Sequence, residues 1–207
     1  MKESNTSLEE ILIPLRRPES AAAIKNHSPS ERVPVLHIKS QDKKSTVFDS
    51  LAICEAIAER HPKANLWPED AETRALARSY ANEMHSGFLA LREALPMDFA
   101  RQLPTPAIDS EVQHQINRIQ KSWEFALSRH PSEGDFLFGQ FSIADCMYAP
   151  VVSRFSTYDI PMSDIVSSYT SKIMALTAMH EWLAGAQQEI DNGLPDQWLV
   201  DMVRNAR

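Results

Sequence analysis

"RVPVLHIKSQDKKSTVFDSLAICEAIAERHP", residues 32–62, decides the fold of the first part of this chain. Two runs of strand-forming residues, 32–38 and 45–48, flank a polar turn, and this pattern predicts an antiparallel pair of strands. The apolar residues of 51–61 then recur at helical spacing. Because the residue before a proline disfavours the helical conformation, the helix is predicted to end before Pro62.

The segment before this stretch predicts two more elements. "EILIPL" (10–15) carries three consecutive apolar residues closed by a proline, which is typical of a buried strand. "PESAAAIKNH" (18–27) predicts a short helix, since proline is well tolerated in a first helical turn. Together with the strand pair and its helix, these elements predict an α/β unit.

Beyond "ANLWPED" (64–70) every periodic segment is helical. Apolar residues at steps of three and four predict a series of amphipathic helices, which cover 76–95 (one long helix), 112–127, 143–158, 163–176 and 177–190, before a tail with Trp198. Ser142 and Asp145 form a capping-box pattern at the start of the third helix. The prolines near 62–70 mark the boundary, so we predict an α/β domain over 1–66 and an all-helical domain over 70–207.

Composition disfavours several classes of function. Lys and Arg number 21 against 28 Asp and Glu, and the net charge of −7 disfavours a nucleic acid or an anionic membrane as partner. No apolar run approaches the roughly 20 residues that span a bilayer, and no signal peptide is visible, so we expect a cytoplasmic protein. Cys54 and Cys146 have no companion at metal or redox spacing, and no two histidines stand four residues apart. We therefore expect reduced thiols and no metal site.

The dipeptide Val33–Pro34 leaves two alternatives open. A proline at the start of a strand is tolerated at a sheet edge, where an ordinary trans bond suffices. The bond could instead be cis, because X–Pro bonds adopt this form at low cost. In the cis form the backbone of Val33 would turn outward and could pair with an extended peptide ligand.

Asp49 and Ser50 stand at the predicted start of the helix over 51–61. Amides at a helix N-terminus attract a carboxylate, the Ser50 hydroxyl can add a hydrogen bond, and Asp49 can hold an ammonium group. This combination suits the α-amino-acid end of a small molecule. The alternative is simple capping of the helix by one of the two side chains.

The joint order of these motifs resembles the cytosolic glutathione transferases. The resemblance rests on strand, helix, "VPVL", hairpin, "DSLAICEAIAERHP", "LWPED" and "GQFSIADCMYAPVVSRF", and "EMHSGFLALREALPM" (83–97) is similar to the start of the helical domain in bacterial, zeta-like members. It extends from about Glu9 to Glu189; the joint pattern is specific, although each motif alone is weak. It implies a thioredoxin-like N-terminal domain that binds glutathione and a helical C-terminal domain that forms the wall for an electrophilic co-substrate.

The resemblance also implies roles for particular residues and a partner. Val33, before a cis Pro34, would pair with the cysteinyl backbone of glutathione, and Asp49 and Ser50 would hold its γ-glutamyl amino and carboxylate groups. Glutathione would act as substrate or cofactor in the conjugation or isomerisation of a small electrophile, a chemistry of detoxification. The family further implies a homodimer.

His85, Ser86 and Arg92 lie near the place where the family has its co-substrate pocket. His85 could orient an electrophile or transfer a proton, and Arg92 could bind an anionic substrate. The alternatives are a histidine hydrogen-bonded at the domain interface and an arginine that is solvated or in a salt bridge. Arg154, on an otherwise apolar helix, is expected to make an internal contact.

One part of the family pattern is not found in the sequence. The family activates the thiol of glutathione with a Ser, Tyr or Cys at the end of its first strand, but "EEILIPL" matches the second strand. The seven or so residues available, "MKESNTS", cannot supply a strand and a helix of roughly 20 residues. Ser4, Thr6 and Ser7 have no nucleophile-activating turn around them, so no catalytic residue is assigned. We expect either that 10–15 pairs with Val35–His37 in place of the missing strand, or that the native protein is longer.

Two functions follow from the sequence. The first is an enzyme of the glutathione transferase type. The second is a non-catalytic module of the same fold that binds or dimerises and has lost the thiol-activating segment. A helical interaction protein unrelated to thiols is a third and less specific alternative.

Overall fold

A computed structural model of the chain describes residues 4, 6–15, 17–40, 43–130 and 134–193. They form two compact units, one up to Trp67 and one from Pro68 onward. The first unit contains α1 (Ser20–His27), β1 (Val35–Ser40), β2 (Lys43–Phe48), α2 (Ser50–Arg60) and a 3-10 turn (Pro62–Ala64). The second contains α3 (Ala71–Ser86), α4 (Leu89–Ala94), α5 (Ser110–Arg129), α6 (Ile143–Thr157), α7 (Asp164–Met174) and α8 (Thr177–Asp191). The predicted fold class, an α/β unit followed by an all-helical unit, is confirmed, and the tail with Trp198 lies outside the described residues.

The antiparallel pair of β1 and β2 is the framework of the first unit. The register places Val35 opposite Phe48 at one end and Ser40 opposite Lys43 at the other. Helix α2 begins two residues after Phe48 and packs against both strands. It ends at Arg60, before Pro62, so the strand pair and the helix that residues 32–62 predict are confirmed.

The apolar run before α1 differs from the expectation. Within the described residues the sheet consists of β1 and β2, and no backbone hydrogen bond joins residues 11–13 to Val35–His37. Ile11 and Leu12 are 60% and 70% exposed. The predicted buried strand over 10–15, and its pairing with β1, are therefore wrong. A run of apolar side chains favours burial, but it does not supply the neighbouring strand whose backbone groups such a segment needs.

The predicted single helix over 76–95 is interrupted at Gly87 and Phe88. Phe88 has a φ of 58°, the left-handed conformation, and α4 starts immediately after it. A Cβ at Gly87 would lie 2.7 Å from the carbonyl oxygen of Glu83, closer than a real contact allows. The apolar stripe nevertheless continues across the break, because Phe88 and Leu91 are both buried. Periodicity alone cannot detect this interruption.

The core of the second unit surrounds Trp123 of α5. Its ring lies 5.2–5.6 Å, between centroids, from the rings of Tyr148 and Phe155 on α6 and of Tyr169 on α7. All four side chains are essentially inaccessible to solvent. Since α3 also packs against α6, helix α6 is the central element of the unit.

Asp145, in the first turn of α6, is a fully buried carboxylate. Its Oδ2 accepts hydrogen bonds from the Ser142 amide at 2.8 Å and the Ser142 hydroxyl at 3.0 Å, which confirms the predicted capping box. Its Oδ1 accepts from the Leu137 amide at 3.1 Å and the Tyr169 hydroxyl at 3.2 Å. Burial raises the pKa of Asp145 to about 6, although these hydrogen bonds act in the opposite direction. One side chain thus links the loop before α6 to α6 and α7.

The segment 95–105 runs along the C-terminal half of α6. The Thr157 hydroxyl donates to the Asp98 carbonyl at 2.6 Å, and the Tyr158 hydroxyl donates to the Pro96 carbonyl at 2.7 Å. The Arg154 Nε donates to the Leu95 carbonyl at 2.8 Å. These bonds fix the C-terminal end of α4 against α6.

We expect Asp145→Ala to lower the free energy of unfolding by about 3 kcal/mol or more, because it leaves buried donors without an acceptor. Asp109→Ala is a suitable control: Asp109 caps α5 by accepting from the Val112 amide at 2.8 Å, but it is exposed, and its loss should cost about 1 kcal/mol. Urea denaturation of both variants measures the difference. Equal losses would contradict the role assigned to Asp145.

The raised pKa of Asp145 also predicts a pH dependence. Its carboxyl has a pKa of about 6 in the folded chain, against about 3.9 when unfolded. The stabilising contribution is therefore complete below about pH 4 and is lost as the pH rises through about 6, where folding buries a charge. Between pH 5 and pH 7 this group should lower the free energy of unfolding by about 1 kcal/mol.

Urea denaturation at both pH values tests this dependence, with Asp145→Asn as the reference that lacks the titrating group. The wild-type chain should lose more stability than Asp145→Asn between pH 5 and pH 7. If the two chains lose the same amount, Asp145 does not titrate in this range.

Candidate functional site

The register of the two strands brings together four residues that the sequence analysis singled out. We call them the strand-end site: Val33, Pro34, Asp49 and Ser50. Val35 pairs with Phe48. The two residues before β1 and the two residues after β2 therefore lie at the same end of the strand pair. The resemblance assigns all four to one ligand, and the fold places them at one location.

The Val33–Pro34 peptide bond is cis, so the cis alternative is confirmed. Val33 is 43% exposed and precedes the first residue of β1. Among the described residues, neither its amide nor its carbonyl makes a backbone hydrogen bond. Both groups are thus outside the β1–β2 ladder.

Asp49 caps α2. Its Oδ1 accepts from the Leu51 amide at 3.0 Å and from the Ala52 amide at 3.3 Å. The capping alternative therefore applies to Asp49, whose carboxylate is exposed at the same time. Its φ of 77° is a left-handed conformation that a non-glycine residue adopts at a cost of about 1–3 kcal/mol. A cost of this kind is often found at a functional position, where the surrounding structure enforces it.

Ser50 is the first residue of α2 and is half-buried. The Asp49 carboxylate occupies the two amides that follow it, so the Ser50 amide is the donor left over at this helix end. With its hydroxyl, Ser50 can present two donors to a carboxylate beside the positive end of the helix dipole.

The hydroxyl side chains near the N-terminus lie elsewhere. The Ser4 Oγ and the Thr6 Oγ1 are 2.5 Å apart, and the Thr6 Oγ1 is 3.2 Å from the His61 Nε2. His61 is the C-cap of α2, whereas Asp49 is its N-cap. A helix of 11 residues is about 16 Å long, so Ser4 and Thr6 do not adjoin the strand-end site.

The two cysteines, Cys54 and Cys146, are half-buried and are not joined in a disulfide. Burial raises the pKa of Cys54 on α2, which makes it a weaker nucleophile near neutral pH. No sequence or structural feature therefore marks Cys54 as an activated thiol.

The residues predicted for the co-substrate pocket all belong to the second unit. His85 and Ser86 end α3, and Arg92 lies on α4. The Arg92 Nη1 is 3.5 Å from the His85 carbonyl oxygen, so the structure brings these two residues together. The Ser86 hydroxyl instead donates to the Asn82 carbonyl at 2.9 Å, within its own helix.

For Arg154 the sequence predicted an internal contact but not the groups that it contacts. Besides the Leu95 carbonyl, its guanidinium contacts the Pro150 carbonyl at 2.9 Å and the Met97 Sδ at 3.9 Å, through Nη1. The expected internal contact is confirmed. Burial, and to a smaller extent the positive charge of Arg92, lower the pKa of Arg154 to about 10. The sequence signal for this internal contact is a lone arginine on an otherwise apolar helix.

Within the described residues, no helix is long and apolar enough to cross a membrane. In the same part of the chain, no three His, Cys, Asp or Glu side chains are grouped closely enough to hold a metal ion.

Several solved structures are similar to this chain. A glutathione transferase homologue from Burkholderia, with bound glutathione, is 23% identical, with a TM-score of 0.64 over 90% of this chain and 87% of that one. Glutathione S-transferase 1-6 from the mosquito Anopheles dirus species B is 12% identical, with a TM-score of 0.68 over 93% and 90%. A bacterial maleyl pyruvate isomerase of the zeta class is 22% identical, with a TM-score of 0.55 over 76% of each chain. At these identities the likeness shows a common fold.

The sequence itself matches two models of one family. Residues 1–60 match the N-terminal domain of glutathione S-transferase, and residues 98–194 match its C-terminal domain. No curated protein sequence matches this chain significantly. The two domain matches cover most of the chain in the family's own order, and the fold described above agrees with both, so this chain belongs to the glutathione S-transferase family.

Proposed function

We propose that this chain is a glutathione transferase that binds glutathione at the strand-end site and joins it to, or uses it to isomerise, a small electrophile. One observation carries the proposal: the register of β1 and β2 brings together three groups at one end of the strand pair. They are the Val33 backbone, with which no described backbone group pairs, the exposed Asp49 carboxylate and the start of α2 at Ser50. The Val33 backbone complements the cysteinyl backbone of glutathione. Asp49 complements the ammonium group of its γ-glutamyl end, and Ser50 complements the carboxylate there.

Each group has a distinct part in this binding. The Val33 amide and carbonyl would pair with the cysteinyl backbone, as an added strand does. The Ser50 amide and hydroxyl would hold the γ-glutamyl carboxylate, since Asp49 already occupies the next two amides of α2. The exposed Asp49 carboxylate would hold the ammonium group. The cap and the ligand therefore share one side chain.

The electrophile would bind at His85, Ser86 and Arg92 in the second unit. Conjugation requires the glutathione thiol, with an ordinary pKa of about 8.5, to lose its proton. No described residue is assigned to this step. We further propose the domains 1–66 and 70–207, a homodimer, glutathione in the role of substrate or cofactor, and a cytoplasmic protein of detoxification.

Retention of the purified chain on immobilised glutathione tests the first part of the proposal. Elution by free glutathione shows that this retention is specific. Turnover of 1-chloro-2,4-dinitrobenzene, followed by absorbance, tests the second part, the transfer of glutathione to an electrophile. We expect specific retention and turnover. Retention without turnover of this or other chromogenic electrophiles would indicate the non-catalytic binding module, and a chain that is neither retained nor active would contradict the proposal.

Asp49 allows the binding role to be separated from the capping role. Asp49→Asn keeps a good N-cap, so the free energy of unfolding should change by less than about 0.5 kcal/mol, whereas the lost charge should weaken glutathione binding about tenfold. Asp49→Ala should lose both binding and about 1 kcal/mol of stability. Calorimetric titration and urea denaturation give the two quantities. Unchanged affinity in Asp49→Asn would show that Asp49 acts as a cap alone.

A further inference from the structure

The apolar segment before α1, residues 8–15, lies largely exposed. Its leucines and Ile11 expose between 45% and 70% of their surface. Among the described residues, the segment makes no backbone–backbone hydrogen bond. Its Pro14 carbonyl accepts from the Ser20 hydroxyl at 2.6 Å, which holds the end of the segment beside the start of α1. The segment thus has apolar side chains without burial and backbone groups that a sheet edge could pair.

The sheet of the first unit offers such an edge. β1 pairs with β2 along one edge, and no other described backbone group bonds to Val35–Ser40. Leu36 and Ile38 of β1 are only half-buried. The buried apolar side chains among the described residues of this unit are few: Ile57, Leu66 and Trp67. A further strand beside β1 would therefore enlarge a small core.

Charge and apolar pattern select one alignment of the segment with this edge. Aligned antiparallel, the two runs give one charged pair and two apolar pairs: Glu10 with Lys39, Ile11 with Ile38, and Ile13 with Leu36. Opposite residues share a face of a sheet, so both apolar pairs lie on the face of Leu36 and Ile38. A parallel alignment would instead direct Arg17 towards Lys44. Among the described residues, neither Glu10 nor Lys39 takes part in an ion pair.

We propose that the free edge of β1 is the docking site for residues 10–14 of a second copy of this chain. One chain carries both the segment and the edge, so two copies related by a twofold axis satisfy both at once. The added strand would end at Pro14, opposite Val35, which leaves the Val33 backbone to glutathione. The proposal rests on the homodimer proposed above and names one of its interfaces.

Sedimentation equilibrium of the full chain gives the dissociation constant of this dimer. We expect a dimer that both Glu10→Lys and Lys39→Glu weaken about tenfold, because each variant places like charges opposite each other twice. An equimolar mixture of the two variants restores opposite charges at both places and should associate as tightly as the wild-type chain. Glu59→Lys, the same change at an exposed position of α2, is the matched control and should leave the dissociation constant unchanged.

The mixture separates pairing between copies from pairing within one chain, which mixing cannot restore. Glu10 and Lys39 are both exposed, so neither variant should unfold the chain, and urea denaturation verifies this. A monomeric wild-type chain would overturn both the docking site and the homodimer. A dimer that neither charge variant weakens would keep the homodimer and refute the docking site.

The alignment itself is refuted if both variants weaken the dimer but their mixture does not restore it, because the two charges are then not opposite each other. Retention on immobilised glutathione, measured separately, decides the proposed activity. A chain that is not retained, but whose mixed variants dimerise as expected, would refute glutathione binding and keep the docking site.

Discussion

The second unit depends on one buried carboxylate. Asp145 accepts hydrogen bonds from Leu137 before α6, from Ser142 at its start and from Tyr169 on α7. A buried charge is tolerated only where donors surround it, so each of these bonds compensates a desolvation cost that the fold would otherwise bear. The position of α6 follows from this network. The residues that α6 holds, including the end of α4, depend on it in turn.

The strand-end site depends on a different constraint, the register of β1 and β2. A shift of one residue would move every side chain of a strand to the opposite face and would separate Val33 from Asp49. The hydrogen bonds from Leu51 and Ala52 then fix the Asp49 side chain at the start of α2. The site therefore consists mostly of backbone groups, whose positions follow from secondary structure and tolerate wide variation of the sequence.

Features with local causes could be predicted from the sequence. The capping box at Ser142 and Asp145 and the end of α2 before Pro62 each follow from the chemistry of a few neighbouring residues. The burial of 10–15 could not be predicted, because an apolar run does not specify its partner strand. The break at Phe88 was hidden by an apolar stripe that continues through it. In the candidate site, the family resemblance pointed to Val33, Asp49 and Ser50, whereas their place at one end of the strand pair depends on the register of β1 and β2.

The hydrogen bonds of Arg154 explain how a largely buried cation is held among the described residues without an ion pair. Its Nε binds the carbonyl at the end of α4, where the helix dipole favours a cation, and its Nη1 binds a carbonyl within α6. These bonds offset part of the cost of burying the guanidinium, but dipoles compensate a charge less than a counter-ion does. The positive charge of Arg92 acts in the same direction as burial, and both lower the pKa of Arg154. A chain of net charge −7 has many carboxylates that could have paired with either arginine. Among the described residues, Arg154 is held by carbonyl oxygens of α6 and of the end of α4 instead.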